Sequence, residues 1–181
     1  MTPLRGTEPL VERLSAAIRD VPDFPRPGIL FKDITPLLAD GELFRAACDA
    51  LAAPYDDEEI THVVAVESRG FILGAPIAHR FGAGFVPVRK SGKLPHVTHR
   101  ETYALEYGSD ELEIHADALR PGDRVVIVDD VLATGGTAAA TCRLVDALGA
   151  TVIGCSFLVE LGFLSGGEAI AGRRRHALLV Y

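Results

Sequence analysis

What the chain lacks narrows it first. Positive charge is not in excess: 18 Lys and Arg stand against 25 Asp and Glu, for a formal net charge of -7. That argues against a surface built to coat nucleic acid. No stretch approaches the roughly 20 apolar residues of a membrane helix. The opening "MTPLRGTEPLVERLSAAIRD" has no apolar signal core and reads as an amphipathic helix. Cysteine is scarce, with 3 in 181 residues and no CxxC pair. Cys48, Cys142 and Cys155 are therefore expected to be reduced and structural, which suits the cytoplasm. The 6 histidines show no metal-ligand spacing and are assigned no chemistry. No repeat and no linker divides the chain, so a single domain spanning 1–181 is the expectation. What is abundant is hydrophobic residues, at 48% of the chain, which argues against disorder.

Along the chain, elements alternate. Leu10, Leu14 and Ile18 mark a first helix that the proline-rich "VPDFPRPG" ends. "ILFKDITPLL" is mixed and reads as irregular. "ELFRAACDALAA" is a helix with Asp40 as its cap, and "HVVAV" is a buried strand. "ESRGF" follows as a loop, then the helical "ILGAPIAHRF" and the short strand "GFVPVR". "KSGKLPHVTHRET" is a polar loop too long for a simple turn. "YALEY" and "ELEIH" read as two strands joined through "GSD". "TVIGCSFLV" and "HALLVY" are further strands, with a short helix near "SGGEAIAG". Strands alternating with helices predict an α/β fold with a mostly parallel central sheet flanked by helices.

The segment "VVIVDDVLATGGTAAAT", Val125 to Thr141, carries the most chemistry. A Val and Ile run bounded by charge reads as a strand buried on both faces. "TAAATCRLVDALGA" then reads as a helix, with Leu144, Val145 and Leu148 on one side. Asp129 and Asp130 at the strand end are acceptor-only groups, suited to sugar hydroxyls or to the water shell of Mg²⁺. "ATGGT" offers unobstructed backbone N–H groups, the Thr134 and Thr137 hydroxyls and the positive end of a helix dipole. That is an anion site with phosphate as its natural guest. No lysine stands in the loop, so the triphosphate-binding pattern is excluded. Acceptors for hydroxyls beside donors for a phosphate describe a ribose 5-phosphate.

At these residues the chain resembles the type I phosphoribosyltransferases, whose diphosphate-sugar motif "VVIVDDVLATGGT" matches. "FPRPGILFKDITPLL", "ESRGFILGAPIA", "VRKSGKLP" and "YALEYGSDELEIHADAL" are similar, in order, to the branch of that family that uses adenine. The resemblance runs from about Val21 to Tyr181. It implies a small N-terminal hood, contributed by residues to about 38, and a flexible catalytic loop that closes over the substrates. It also implies the reaction: adenine and phosphoribosyl diphosphate give AMP and pyrophosphate, with Mg²⁺, in a cytoplasmic homodimer.

By the same resemblance, Asp129 and Asp130 lie near the ribose hydroxyls, and Ala133, Thr134, Gly135, Gly136 and Thr137 hold the 5-phosphate. Arg69, Arg89, Lys90 and Lys93 meet the pyrophosphate, and Mg²⁺ is held through substrate and water rather than by the protein directly. Glu106 approaches the base and carries its proton, with Tyr107 beside it. Backbone groups of Ile29, Leu30, Phe31 and Lys32 read adenine. A non-proline cis peptide is implied between Glu67 and Ser68, both at the pyrophosphate. Family members often carry Arg at the position of Lys32 and Asp at that of Glu67, so the reach of these two side chains differs here. Two rival readings are a phosphoribosyltransferase for another purine, such as xanthine or hypoxanthine, and a non-catalytic regulator that senses phosphoribosyl diphosphate and binds nucleic acid. The acidic charge and the absence of a separate DNA-binding segment count against the regulator.

Overall fold

The computed structural model describes residues 9–104 and 109–181. The chain forms two compact units, one ending at Ala50 and the other spanning Leu51–Tyr181.

In the first unit, α1 (Leu10–Ala16) precedes a hairpin of β1 (Arg19–Pro22) and β2 (Leu30–Asp33), followed by α2 (Thr35–Ala39) and α3 (Gly41–Ala52). Ile18 lies beyond α1, which ends earlier than its apolar spacing suggests. "ILFKDITPLL" is not irregular: it is β2 and then the single-turn α2. Asp33 separates the two, its carboxyl accepting from the Thr35 N–H and hydroxyl, both at 2.9 Å. Asp40 does cap α3, its Oδ1 accepting from the backbone of Glu42 at 3.0 Å and Leu43 at 3.1 Å.

The second unit is a seven-stranded sheet. Its strands are β3 (His62–Val66), β4 (Gly84–Lys90), β5 (Thr98–Ala104), β6 (Ser109–His115), β7 (Arg124–Leu132), β8 (Thr151–Glu160) and β9 (Arg175–Val180). The order is β5-β6-β4-β3-β7-β8-β9. The five strands β4, β3, β7, β8 and β9 are parallel to one another, while β6 pairs antiparallel with both β4 and the edge strand β5. Helix α4 (Arg69–Phe81) connects β3 to β4, and α5 (Gly136–Ala147) connects β7 to β8. The two crossovers leave in opposite directions, so β3 and β7 flank the point where the strand order reverses. Open α/β sheets bind ligands at the carboxyl ends of such strands.

Val64, Ile127 and Phe157 from the sheet and Leu144 and Val145 from α5 are all buried in one apolar core. Leu148 packs against it, half-buried. All three cysteines are buried and free of disulfides. Helix α4 starts at Arg69, earlier than the sequence suggests. The larger correction concerns the long polar loop. Residues 98–102 belong to β5, so only 91–97 connect β4 to it. Ser109 and Asp110, read as part of a "GSD" joint, belong to β6 and pair with Ala104 and Tyr103 of β5; the rest of "YALEY" and Gly108 lie outside the described residues. β5 is an edge strand of Thr, His, Arg and Glu, and polar edge strands read as loops because only one side of them is paired.

Candidate active site

Strand β7 places Asp129 and Asp130 among its last residues, and the loop after it turns sharply at Gly135, where φ is +82°. A side chain there would be strained, and its Cβ would also collide with the Gly166 carbonyl. A Cβ on Gly166 would in turn collide with the Ala133 carbonyl and lie 3.0 Å from Gly135 N. The phosphate-type loop is therefore seated backbone against backbone on the 3₁₀ turn Gly166–Ile170. Sequence reading assigned no role to "SGG"; its adjacent glycines were the available signal.

The loop encloses a small cavity of about 60 Å³ lined by residues 131–138, among them Ala133, Thr134, Gly135, Gly136 and Thr137. α5 begins immediately behind with no side-chain cap hydrogen bond. Its first N–H groups are thus donors suited to an anion.

Asp129 is half-buried as a residue, but its carboxyl packs closely against Gly70: a Cβ on Gly70 would lie 2.8 Å from Asp129 Oδ1. Gly70, in the first turn of α4, makes room for that carboxyl. Asp129 Oδ1 also accepts from the Asp130 N–H at 2.9 Å. Burial first, and then the adjacent Asp130 charge, push the Asp129 carboxyl well above the ordinary carboxylate range. Burial raises Asp130 too, with Arg69 pulling the other way. Arg69 Nε stands 2.6 Å from Asp130 Oδ2. That oxygen has no aligned hydrogen bond, so the contact is ionic. Two adjacent carboxyls in so dry a place resist carrying two charges until hydroxyl donors or a cation arrive.

Glu67 and Ser68 follow β3, joined by the expected cis peptide. The Glu67 side chain, 7% exposed, gathers two cations: Arg89 Nε at 2.8 Å and Lys93 Nζ at 2.5 Å. Burial alone would raise its pKa, but the hydrogen bonds from Lys93 and Arg89 outweigh it and hold the carboxyl below its ordinary value. The longer reach of glutamate thus spans both partners. Arg89 also donates to the Lys93 carbonyl at 3.2 Å. Lys90 is directed elsewhere, to Asp110 Oδ2 at 2.9 Å, and that pairing raises its pKa.

In the first unit, Leu30, Phe31 and Lys32 lie on β2, with Ile29 just before it. Ile29 and Leu30 are exposed, as is Phe24, which meets Phe31 edge-on at 5.1 Å. Lys32 Nζ pairs with Asp20 at 2.6 Å. Glu106 and Tyr107 lie outside the described residues. Among the described residues, no group of three or more His, Cys, Asp or Glu is arranged to hold a metal ion. An Asp pair beside a phosphate-type loop suits a cation that takes most of its oxygens from substrate and water.

An anion cradle and an Asp pair held by Arg69, with Arg89 and Lys93 gathered on Glu67, stand at the carboxyl ends of two adjacent parallel strands, the layout of a transferase for phosphorylated sugars. The phosphoribosyl transferase domain family matches residues 37–170. The chain is 57% identical to the adenine phosphoribosyltransferase of Myxococcus xanthus (strain DK1622) over 172 residues, 95% of this chain and 94% of the relative. It is similar in structure to the adenine phosphoribosyltransferase of Rhodothermus marinus DSM 4252, with a TM-score of 0.91 and 57% identity over 95% of this chain and 98% of that one. The Saccharomyces cerevisiae enzyme, solved with adenine and an imino-altritol bisphosphate, gives 0.89 and 41% over 93% and 98%. The chain belongs to the adenine phosphoribosyltransferase family, of the type I phosphoribosyltransferase fold.

Proposed function

We propose that the chain transfers the 5-phosphoribosyl group from phosphoribosyl diphosphate to adenine, giving AMP and pyrophosphate for purine salvage. The observation that carries this reading is the pairing of Arg69 with Asp130, which joins the start of α4 to the end of β7 beside an uncapped anion loop. Breaking the bond at the anomeric carbon leaves positive charge on the ribose and negative charge on the pyrophosphate, so catalysis is mostly positioning and electrostatics. Ala133 to Thr137 hold the 5-phosphate through main-chain N–H groups. Asp129 and Asp130 take the ribose hydroxyls. Arg69, Arg89 and Lys93 receive the pyrophosphate as its bond to carbon breaks, with Lys90, Glu67 and Ser68 around them. A nitrogen of adenine supplies the electron pair for the new bond and loses its proton, which Glu106 accepts, with Tyr107 beside it. Mg²⁺ would sit by the Asp129–Asp130 pair, held mainly by substrate and water, and would supply further charge neutralisation.

Adenine recognition falls to Ile29, Leu30, Phe31 and Lys32, within an N-terminal hood of about 38 residues. The exposed apolar side chains there suit a purine ring, and the Lys32 ammonium is already engaged by Asp20. The reading groups are then main-chain. The proposed assembly is a cytoplasmic homodimer; exposed Ile72 and Phe85 are apolar surface of the kind a second copy covers. No described helix is long and apolar enough to cross a membrane.

The test is AMP formation from adenine, phosphoribosyl diphosphate and Mg²⁺, with hypoxanthine and guanine as competitors. A carbonyl reading the exocyclic amine of adenine would face an oxygen in either competitor. The expected preference in kcat/KM is about 10⁴. A ratio below about tenfold would move the enzyme to the 6-oxopurine class.

A further inference from the structure

Glu113 sits in the middle of β6 with 1% of its surface exposed, between the buried Leu112 and Ile114. Its neighbours across the sheet are Arg89 on β4 and Arg100 on β5. A carboxylate in such a place is costly unless it is fully hydrogen-bonded. Here the main-chain partners come from the 91–97 connection and the side-chain partners from β5. Oε1 accepts from the backbone N–H of Lys93 at 3.0 Å and of Leu94 at 2.9 Å, and Oε2 accepts from the Thr98 hydroxyl at 3.3 Å. Arg100 Nε stands 3.5 Å from Oε2. Burial taken alone would raise the Glu113 pKa. The N–H groups of Leu94, Gly92 and Lys93, with the Thr98 hydroxyl, prevail and hold it below its ordinary value. Successive N–H groups converging on one point make an anion-binding concavity. In this connection the concavity is filled by the chain's own carboxylate.

The consequence falls on Lys93. Its N–H is held by Glu113, its carbonyl by Arg89, and its ammonium by Glu67. A lysine on an untethered connection would spread its charge over many positions, and misplacement by about 1 Å can cost up to 10²-fold in rate. We propose that Glu113 is a positioning residue for phosphoribosyl transfer: it fixes the backbone at Lys93 and Leu94 so that the Lys93 ammonium is aimed at the pyrophosphate. This rests on the reading in which Lys93 receives that group. Glu113 itself touches no substrate; it acts through Lys93.

The experiment is a double-mutant cycle on the full-length chain, with Glu113→Gln, Lys93→Ala and the pair. Gln keeps the shape and one acceptor but loses the charge, which roughly halves the strength of each bond. Glu113→Gln is expected to lower kcat/KM for phosphoribosyl diphosphate about tenfold, with KM for adenine changed less than about twofold. In the Lys93→Ala background the same substitution should cost less than about twofold, since the group it positions is gone. As a structural readout, the Lys93 and Leu94 amide protons should move upfield in Glu113→Gln while the rest of the amide spectrum stays in place. An equal loss in both backgrounds would assign Glu113 a general structural role and overturn the proposal. So would unchanged kinetics with shifted amides, or equal losses for both substrates. If Glu113→Gln does not fold, Glu113→Asp is read by the same cycle and the same criteria. Failure of the wild-type chain to form AMP is a different result, and overturns the functional reading instead.

Discussion

On the proposed reading, residues 133–137 meet the 5-phosphate with main-chain N–H groups and no side-chain cation, on a loop seated against the backbone of Gly166. At the end of β3 and along the β4 side, the donors are Arg69, Arg89 and Lys93, each already resting on a carboxylate. The contrast matches what each guest does in the proposed reaction. The 5-phosphate is common to substrate and product, so a rigid cradle serves both. The pyrophosphate must depart, and cations with internal counter-ions can release it without being left bare. A dipole cradle holds by preorganisation, and an ion-paired set holds by exchange of partners.

The sharpest way to break this comparison is to neutralise the carboxyls between the two regions. Asp129→Asn with Asp130→Asn should lower kcat/KM at least about 100-fold, because charge-assisted contacts are worth roughly 1.5–3 kcal/mol each. Burial already disfavours both charges, so the melting temperature should stay within a few degrees of wild type. Near-normal steady-state kinetics would remove the central role of β7.

A smaller effect tests the rigid side alone. Gly166→Ala forces the Ala133 carbonyl to move, at a cost of about 1–3 kcal/mol for overpacking. KM for phosphoribosyl diphosphate should rise about tenfold, the same cost felt as lost binding, while KM for adenine holds. An equal rise in both would mean that the 3₁₀ turn supports the whole fold rather than the loop.

The smallest effect belongs to the exchanging side. The Glu67 carboxyl is held below its ordinary 4.5, so its ion pairs stabilise the fold above that pH and stop doing so as pH falls through the depressed value. Glu67→Gln should therefore melt lower than wild type at pH 7, by no more than about 1 kcal/mol given the exposure of Arg89 and Lys93. The two proteins should converge in acid. Melting curves from pH 3 to 8 decide it; a gap that persists at the acid end would show that the pairs are not its source.

The unit from β7 through α5 was legible in the sequence because a continuous apolar run, two acids and paired glycines each report one local requirement. Asp40 was legible as a cap for the same reason. The first part of β5, Thr98–Thr102, was not, since an edge strand that opens with five polar residues carries no apolar stripe to betray it. β2 and α2 were hidden by shortness. Gly70, Glu113 and Gly166 escaped notice because their roles lie in contacts with Asp129, Lys93 and Ala133 that local patterns cannot report. Of the cations, Lys90 belongs to the motif and yet pairs with Asp110. Residue type and spacing could not distinguish it from Lys93.

Gly70 has a further consequence for how the site comes into being. Asp129 Oδ1 sits where a Cβ of residue 70 would press, so its place is completed by a helix from a distant part of the chain. A folding chain with β7 and α5 formed but α4 still undocked would display the whole motif and yet leave the Asp129 carboxyl unseated. On the proposed reading, the full sugar site is thus completed only with the long-range closure of the sheet, among the slow steps of folding, and binding would report on tertiary assembly as much as on chemistry.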